Sequence, residues 1–128
     1  MEVRRSPRRV GFDAFKRSII QQESGGRYGV PNAEGSGAMG LGQIMPDTAR
    51  GLSRKLGIAY RPDLLRGTNA EARAYQDRLT DAATREAWQY GKGDPRQAAY
   101  YYFAGPNRNG WGPKTRQYGQ DILRRMGR

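Results

Sequence analysis

The chain has 128 residues, enough for one compact domain with one core. It contains no cysteine and no histidine, which excludes disulfides, Ser-His-Asp and Cys-His triads and the common zinc site, and leaves carboxylates and tyrosines for acid–base work. A formal charge of +11 implies an anionic partner (a nucleic acid, an anionic membrane surface or an acidic polymer) without choosing among them.

Residues 1–11, with Arg4, Arg5, Arg8 and Arg9, read as a basic N-terminal arm, and residues 12–128 as one helical domain. The arm holds no apolar stretch of signal length and no small-residue cleavage site, so the chain as given is expected to carry no secretion signal. No run approaches the length a membrane span needs. The first helix is expected over about Phe12 to Glu23, with Phe12, Phe15, Ile19 and Ile20 apolar. At about 100° per residue, Glu23 points about 20° away from Phe12, on the apolar stripe rather than the wet face. A carboxyl group there loses hydration when charged, so its pKa is expected to rise and suit it to proton donation near neutral pH. A helix-end glutamate that reaches out to water fits the same position.

Residues 24–42 hold seven glycines and form a long loop with little structure of its own. Loops of that length in small domains are usually functional. The loop ends in "GSGAMGLGQIMPDTA", where Gln43 offers both a donor and an acceptor beside a backbone that glycine lets come close to a ligand. The stretch also reads as a plain turn feeding a helix. Its glycine spacing matches neither a phosphate loop nor a dinucleotide fingerprint.

A second helix starts near Pro46 and ends before Gly57, and "RPDLLRG" makes a short helical turn. Thr68 or Asn69 caps a longer helix that runs to about Tyr90, its stripe being Ala72, Tyr75, Leu79, Ala82, Ala83 and Glu86. Asp94-Pro95 supplies a cap and first position for a helix through "RQAAYYYFA". Within it "YYYF" also fits a short buried strand. Four consecutive aromatics cannot all face one core, so some line a groove or meet solvent. After the loop "GPNRNGWGP", a last helix covers about Thr115 to Arg125, with Tyr118, Ile122 and Met126 on one side. Tyr118 is either a core residue or a hydrogen-bond donor to a buried acid.

Taken in order, "ESGG", "GAMGLGQIMPDTA", "YFAGP" and "TRQY", with "GDPRQA" ahead of the third, resemble the soluble lytic transglycosylase family over roughly residues 12–123. The resemblance implies a mainly α, lysozyme-like fold with a long Gly-rich loop and little or no β-sheet. It implies cleavage of the MurNAc-β-1,4-GlcNAc bond of peptidoglycan glycan strands with formation of 1,6-anhydroMurNAc, and no metal or organic cofactor. Glu23 would be the single catalytic acid and base, and Ser24 would complete the family's Glu-Ser pair. Gln43 matches a glutamine that contacts sugar, Tyr102 the tyrosine of the Ala-Tyr-Asn-Ala-Gly stretch, and Tyr118 the late tyrosine that hydrogen-bonds the catalytic glutamate.

Three positions depart from the family pattern. Gly42 stands where the family has methionine and Phe103 where it has asparagine, and Ser36 displaces or replaces the serine before "GAMG". Ser36 and Phe103 are kept with Ser24, Gln43 and Tyr102 as candidate substrate contacts. The expected place of action is the bacterial periplasm or cell wall, reached as part of a larger protein or of a phage virion, with virion or envelope proteins as further partners. Two other readings are open to the sequence. One is a hydrolytic muramidase on the same fold, with Glu34 or Asp47 activating water. The other is a non-catalytic virion protein that binds cell wall or nucleic acid.

Overall fold

Five of the six α-helices among the described residues begin on a proline: α1 (Pro7–Ser24), α2 (Pro46–Leu56), α3 (Pro62–Leu65), α5 (Pro95–Ala104) and α6 (Pro113–Arg125). Proline suits that position because its missing N–H would have no helical partner there and its fixed φ already fits the helix. The exception, α4 (Ala70–Tyr90), is preceded by Asn69, whose side-chain oxygen accepts the Ala72 N–H at 2.8 Å. The computed structural model describes residues 7–32 and 34–128.

The mainly α class expected from the sequence is the one observed: no β-strand occurs among the described residues, only isolated bridges from Met39 to Pro31 and to Ile44. Two boundaries differ from the expectation. Helix α1 starts at Pro7, not Phe12, so residues 7–11 of the expected arm are helical, and Gly11 is buried with the Trp88 ring against it. Met1–Ser6, with Arg4 and Arg5 of that arm, lie outside the described residues. Helix α6 begins two residues early, at Pro113, and the loop before it holds one 3-10 turn, Arg108–Gly110. Tyr100–Phe103 is helical, because the Asp94 carboxylate caps α5 by accepting the N–H groups of Arg96 (2.9 Å) and Gln97 (3.5 Å).

The fold divides into two compact units, one made of the chain up to Ile19 together with Thr84–Arg128, the other of Ile20–Ala83. In the first, Phe15 and Ile19 of α1, Ala87 of α4, Ala98 and Ala99 of α5 and Tyr118 and Ile122 of α6 form one buried cluster. Helices α5 and α6 pack closely enough that a Cβ at Gly119 would run into the Tyr100 ring. In the second unit, Leu52, Leu65 and Leu79 are buried, and so are Tyr75 and Gln76 of α4. No helix among the described residues is long and apolar enough to cross a membrane.

Candidate active site

Glu23 occupies the last turn of α1 and is half-buried, in line with its place on the apolar stripe. The chain leaves the helix immediately after it. Gly25 and Gly26 take φ values of 65° and 82°, a left-handed pair that side chains with a Cβ avoid. Ser24 is buried, and its Oγ donates to the Ile20 carbonyl at 3.1 Å and accepts the Gly26 N–H at 3.2 Å. The Ser24 carbonyl accepts from the backbone N–H of Arg27 (3.3 Å) and from its guanidinium Nε (3.1 Å). Ser24, a candidate substrate contact from the sequence, thus spends its hydrogen bonds closing the turn beside Glu23.

The glycine-rich loop has more structure than its composition suggests. Met39 and Ile44 exchange backbone hydrogen bonds of 3.1 and 3.0 Å, and the Gly40 N–H reaches the Val30 carbonyl at 2.9 Å. Gln43, held at φ 50°, fastens this hairpin-like fold from inside. Its Nε2 donates to the carbonyls of Val30 (2.8 Å) and Gly40 (3.1 Å), and its Oε1 accepts from Asn32 Nδ2 at 3.2 Å. The Asn32 Oδ1 in turn accepts the N–H groups of Glu34 (2.8 Å) and Ser36 (3.3 Å), and Ser36 Oγ accepts the Ala38 N–H at 3.3 Å. Gln43 and exposed Ser36 are therefore tied into one network through Asn32. Buried Gly42 lies between them, in the turn just before Gln43.

One residue of this region escaped the sequence analysis. Gln76, 1% exposed, reaches the loop from α4: its Oε1 accepts the N–H groups of Gly29 (2.9 Å) and Leu41 (3.0 Å), and its Nε2 donates to the carbonyls of Leu64 (2.8 Å) and Gly67 (2.9 Å). Its position was readable. It stands four residues after Ala72 and three before Leu79, on the buried stripe, the phase argument that singled out Glu23.

The aromatic candidates belong to the other unit. Tyr118 is buried in the cluster with Phe15 and Ile122, and half-buried Tyr102 packs against that cluster. Phe103 is 46% exposed and stacks on Tyr118, ring centroids 4.7 Å apart. So the four-aromatic run divides as expected between core and solvent. Tyr101 takes a third course: its hydroxyl donates to Glu86 Oε1 at 2.6 Å, while its ring stacks on Tyr90 at 4.4 Å. Burial first, and then the Glu86 carboxylate, push the Tyr101 hydroxyl up to about 12. Glu86, placed on the α4 stripe by sequence, is thereby accounted for. Nearby, the Trp111 Nε1 donates to the Gly105 carbonyl at 2.9 Å, and the Arg108 guanidinium lies 5.0 Å over the Trp111 ring.

Of the two carboxylates that hydrolysis would call on, Asp47 sits in the first turn of α2, largely exposed and paired with Arg50 at 2.6 Å. Glu34 is exposed on the loop.

Among protein-family models, the one described as Transglycosylase SLT domain matches residues 14–120, a span that takes in Glu23, Ser24, Ser36, Gln43, Tyr102, Phe103 and Tyr118. No curated protein matches the chain.

Proposed function

Because this chain belongs to the transglycosylase SLT domain family, whose members are peptidoglycan lytic transglycosylases, we propose that Glu23 is its single catalytic acid and base. The observation that carries this reading is the setting of Glu23: a half-buried carboxylate on the last turn of α1, followed at once by a left-handed glycine turn that Ser24 closes. The helix fixes the carboxylate, and the turn ends the helix beside it.

Ordinary glycosidases divide the work between two carboxylates. One carboxylate suffices if the substrate supplies the rest. Glu23 gives its proton to the oxygen of the MurNAc-β-1,4-GlcNAc bond, which breaks and releases the GlcNAc 4-hydroxyl. The N-acetyl group of the MurNAc residue stabilises the cationic carbon. Glu23, now ionised, takes the proton from the 6-hydroxyl of the same sugar, and that oxygen closes the 1,6-anhydro ring. The proton balance returns Glu23 to its starting state, and no water is consumed. The net charge of +11 supports approach to an anionic wall.

Hydrolysis would instead need a carboxylate to activate water. Asp47 on α2 and Glu34 on the loop are both exposed, so neither has the half-buried helix-end setting of Glu23. Candidate substrate contacts divide by chemistry. Gln43 and Ser36 can present what their loop bonds leave over, while Tyr102 and exposed Phe103 offer ring faces to sugar. For Tyr118 we propose a part in the same acid–base step, tested by Tyr118→Phe.

The experiment is digestion of purified peptidoglycan with product mass spectrometry, beside the Glu23→Gln variant. The parent is expected to release anhydro ends and the variant to release none while remaining folded. Reducing ends from the parent would assign a hydrolase. A Glu23→Gln variant that clears wall at the parental rate would remove Glu23 from the mechanism.

A further inference from the structure

The loop from Gly25 to Met45 connects the Glu23 turn to α2. Two side-chain bonds each tie one limb of it to the rest of the second unit: the Tyr28 hydroxyl donates to Asp77 Oδ1 at 2.7 Å, and Arg66 Nε donates to Met39 Sδ at 3.1 Å. Among the described residues, the Gln76 amide joins both limbs, at Gly29 and at Leu41, to the segment at Leu64 and Gly67. Gly29 lies six residues after Glu23 and Leu41 two before Gln43, so the clamp grips the loop close to both candidates.

A primary amide suits this task. It has two N–H donors and an oxygen with two lone pairs, and here all four are matched to backbone groups. The fit is also steric. Gly40 adopts φ 81°, and a Cβ there would lie 3.0 Å from Gln76 Oε1 and 3.2 Å from its Cδ. The loop backbone thus comes down directly onto the amide, and glycine is what allows it.

We infer that Gln76 is a positioning residue for the transglycosylase reaction: it sets the loop that carries Gln43 and Ser36 against the helix exit that carries Glu23. It touches no substrate and acts through the loop. The inference rests on the assignment of Glu23 as acid and base.

A purely architectural hydrogen-bond hub makes the matched control. Tyr75, the preceding residue on α4, is also buried. Its hydroxyl bonds Ser53 Oγ (2.9 Å), the Arg61 N–H (2.9 Å) and the Ala59 carbonyl (3.1 Å), none of them in the glycine loop. Gln76→Met keeps side-chain length and removes all four amide bonds, whereas Tyr75→Phe removes the hydroxyl's bonds. Activity is measured on soluble glycan strands, per folded molecule, at a temperature where circular dichroism shows each variant folded.

Gln76→Met is expected to lower kcat at least about tenfold, as small misplacements of reacting groups do, while Tyr75→Phe loses stability and keeps kcat within about twofold. If Gln76→Met does not fold, Gly40→Ala carries the test from the loop side with the same threshold. Gln76→Met, or Gly40→Ala in its stead, with parental kcat per folded molecule overturns the inference. So does a Tyr75→Phe variant that loses kcat as steeply, because the effect would then be general loosening. Glu23→Gln is run alongside. If it is inactive while Gln76→Met is normal, only the positioning role fails. If it is fully active, the assignment of Glu23 fails and this inference falls with it.

Discussion

Removing the Tyr101 hydroxyl isolates one interaction in the first unit. In Tyr101→Phe the ring stays, and with it the stack on Tyr90 at 4.4 Å; what goes is the 2.6 Å bond to Glu86. A hydrogen bond to a carboxylate contributes about 1.5–3 kcal/mol, and the half-buried setting puts this one near the lower end. For a chain of this length about 1.5 kcal/mol corresponds to a fall in Tm of about 5 °C. The pH dependence gives a second, independent reading. Tyr101 is raised from 10.0 to about 12 in the fold, by burial first and by Glu86 second. Its protonated form is thus favoured by folding. The stabilisation is fully present below pH 10, the ordinary value, and is lost as pH rises through the folded value near 12. Urea denaturation of parent and variant at several pH values separates this effect from the other tyrosines, whose titration cancels in the difference. The stability gap should stand at neutral pH and close steadily above about pH 10. A variant as stable as the parent at pH 7, or a gap that stays constant up to about pH 11.5, would refute both the bond and its linkage.

Two further substitutions probe the helix geometry. Gly119→Ala gains about 1 kcal/mol of helix propensity in the middle of α6 but drives a Cβ into the Tyr100 ring, and overpacking of this kind costs about 1–3 kcal/mol. The variant should come out less stable by about 1 kcal/mol in chemical denaturation, and a rise in stability would mean the α5–α6 approach is looser than described. Asp94→Ala removes the cap of α5 and should cost about 1 kcal/mol, with a lower Tm; an unchanged melting curve would show that Pro95 alone starts the helix.

Much of the fold was legible because its signals are local. Proline at the first helical position placed α2, α3 and α5 directly, whereas the aromatic run, which by sequence also fits a short strand, is helical behind the Asp94 cap. Where the sequence reading fell short, longer-range packing decided. Helix α1 starts early at Pro7, and Gly11, the last residue of the expected arm, is buried against Trp88, a residue far away in sequence. The loop from residue 25 to 45 reads as unstructured because glycine count says nothing of the side chains that will satisfy its backbone. Among them are Gln43, Asn32 and Gln76, and the last comes from α4.

The site residues separate along the same line. Two polar side chains stand on buried helical stripes, Glu23 on α1, which periodicity singled out, and Gln76 on α4, which the sequence reading passed over, and periodicity alone cannot say why either is there. The structure distinguishes them by what each group can do. Gln76 holds backbone donors with one end of its amide and backbone acceptors with the other, a bridge that leaves nothing for a ligand. An ionised carboxylate has no donor and cannot make that bridge. A carboxylate kept half out of water at the end of a helix, with the chain turned away from it by two left-handed glycines, is poorly suited to holding carbonyls together. It is well suited to passing a proton back and forth, because losing and regaining a proton is the property that separates glutamate from glutamine.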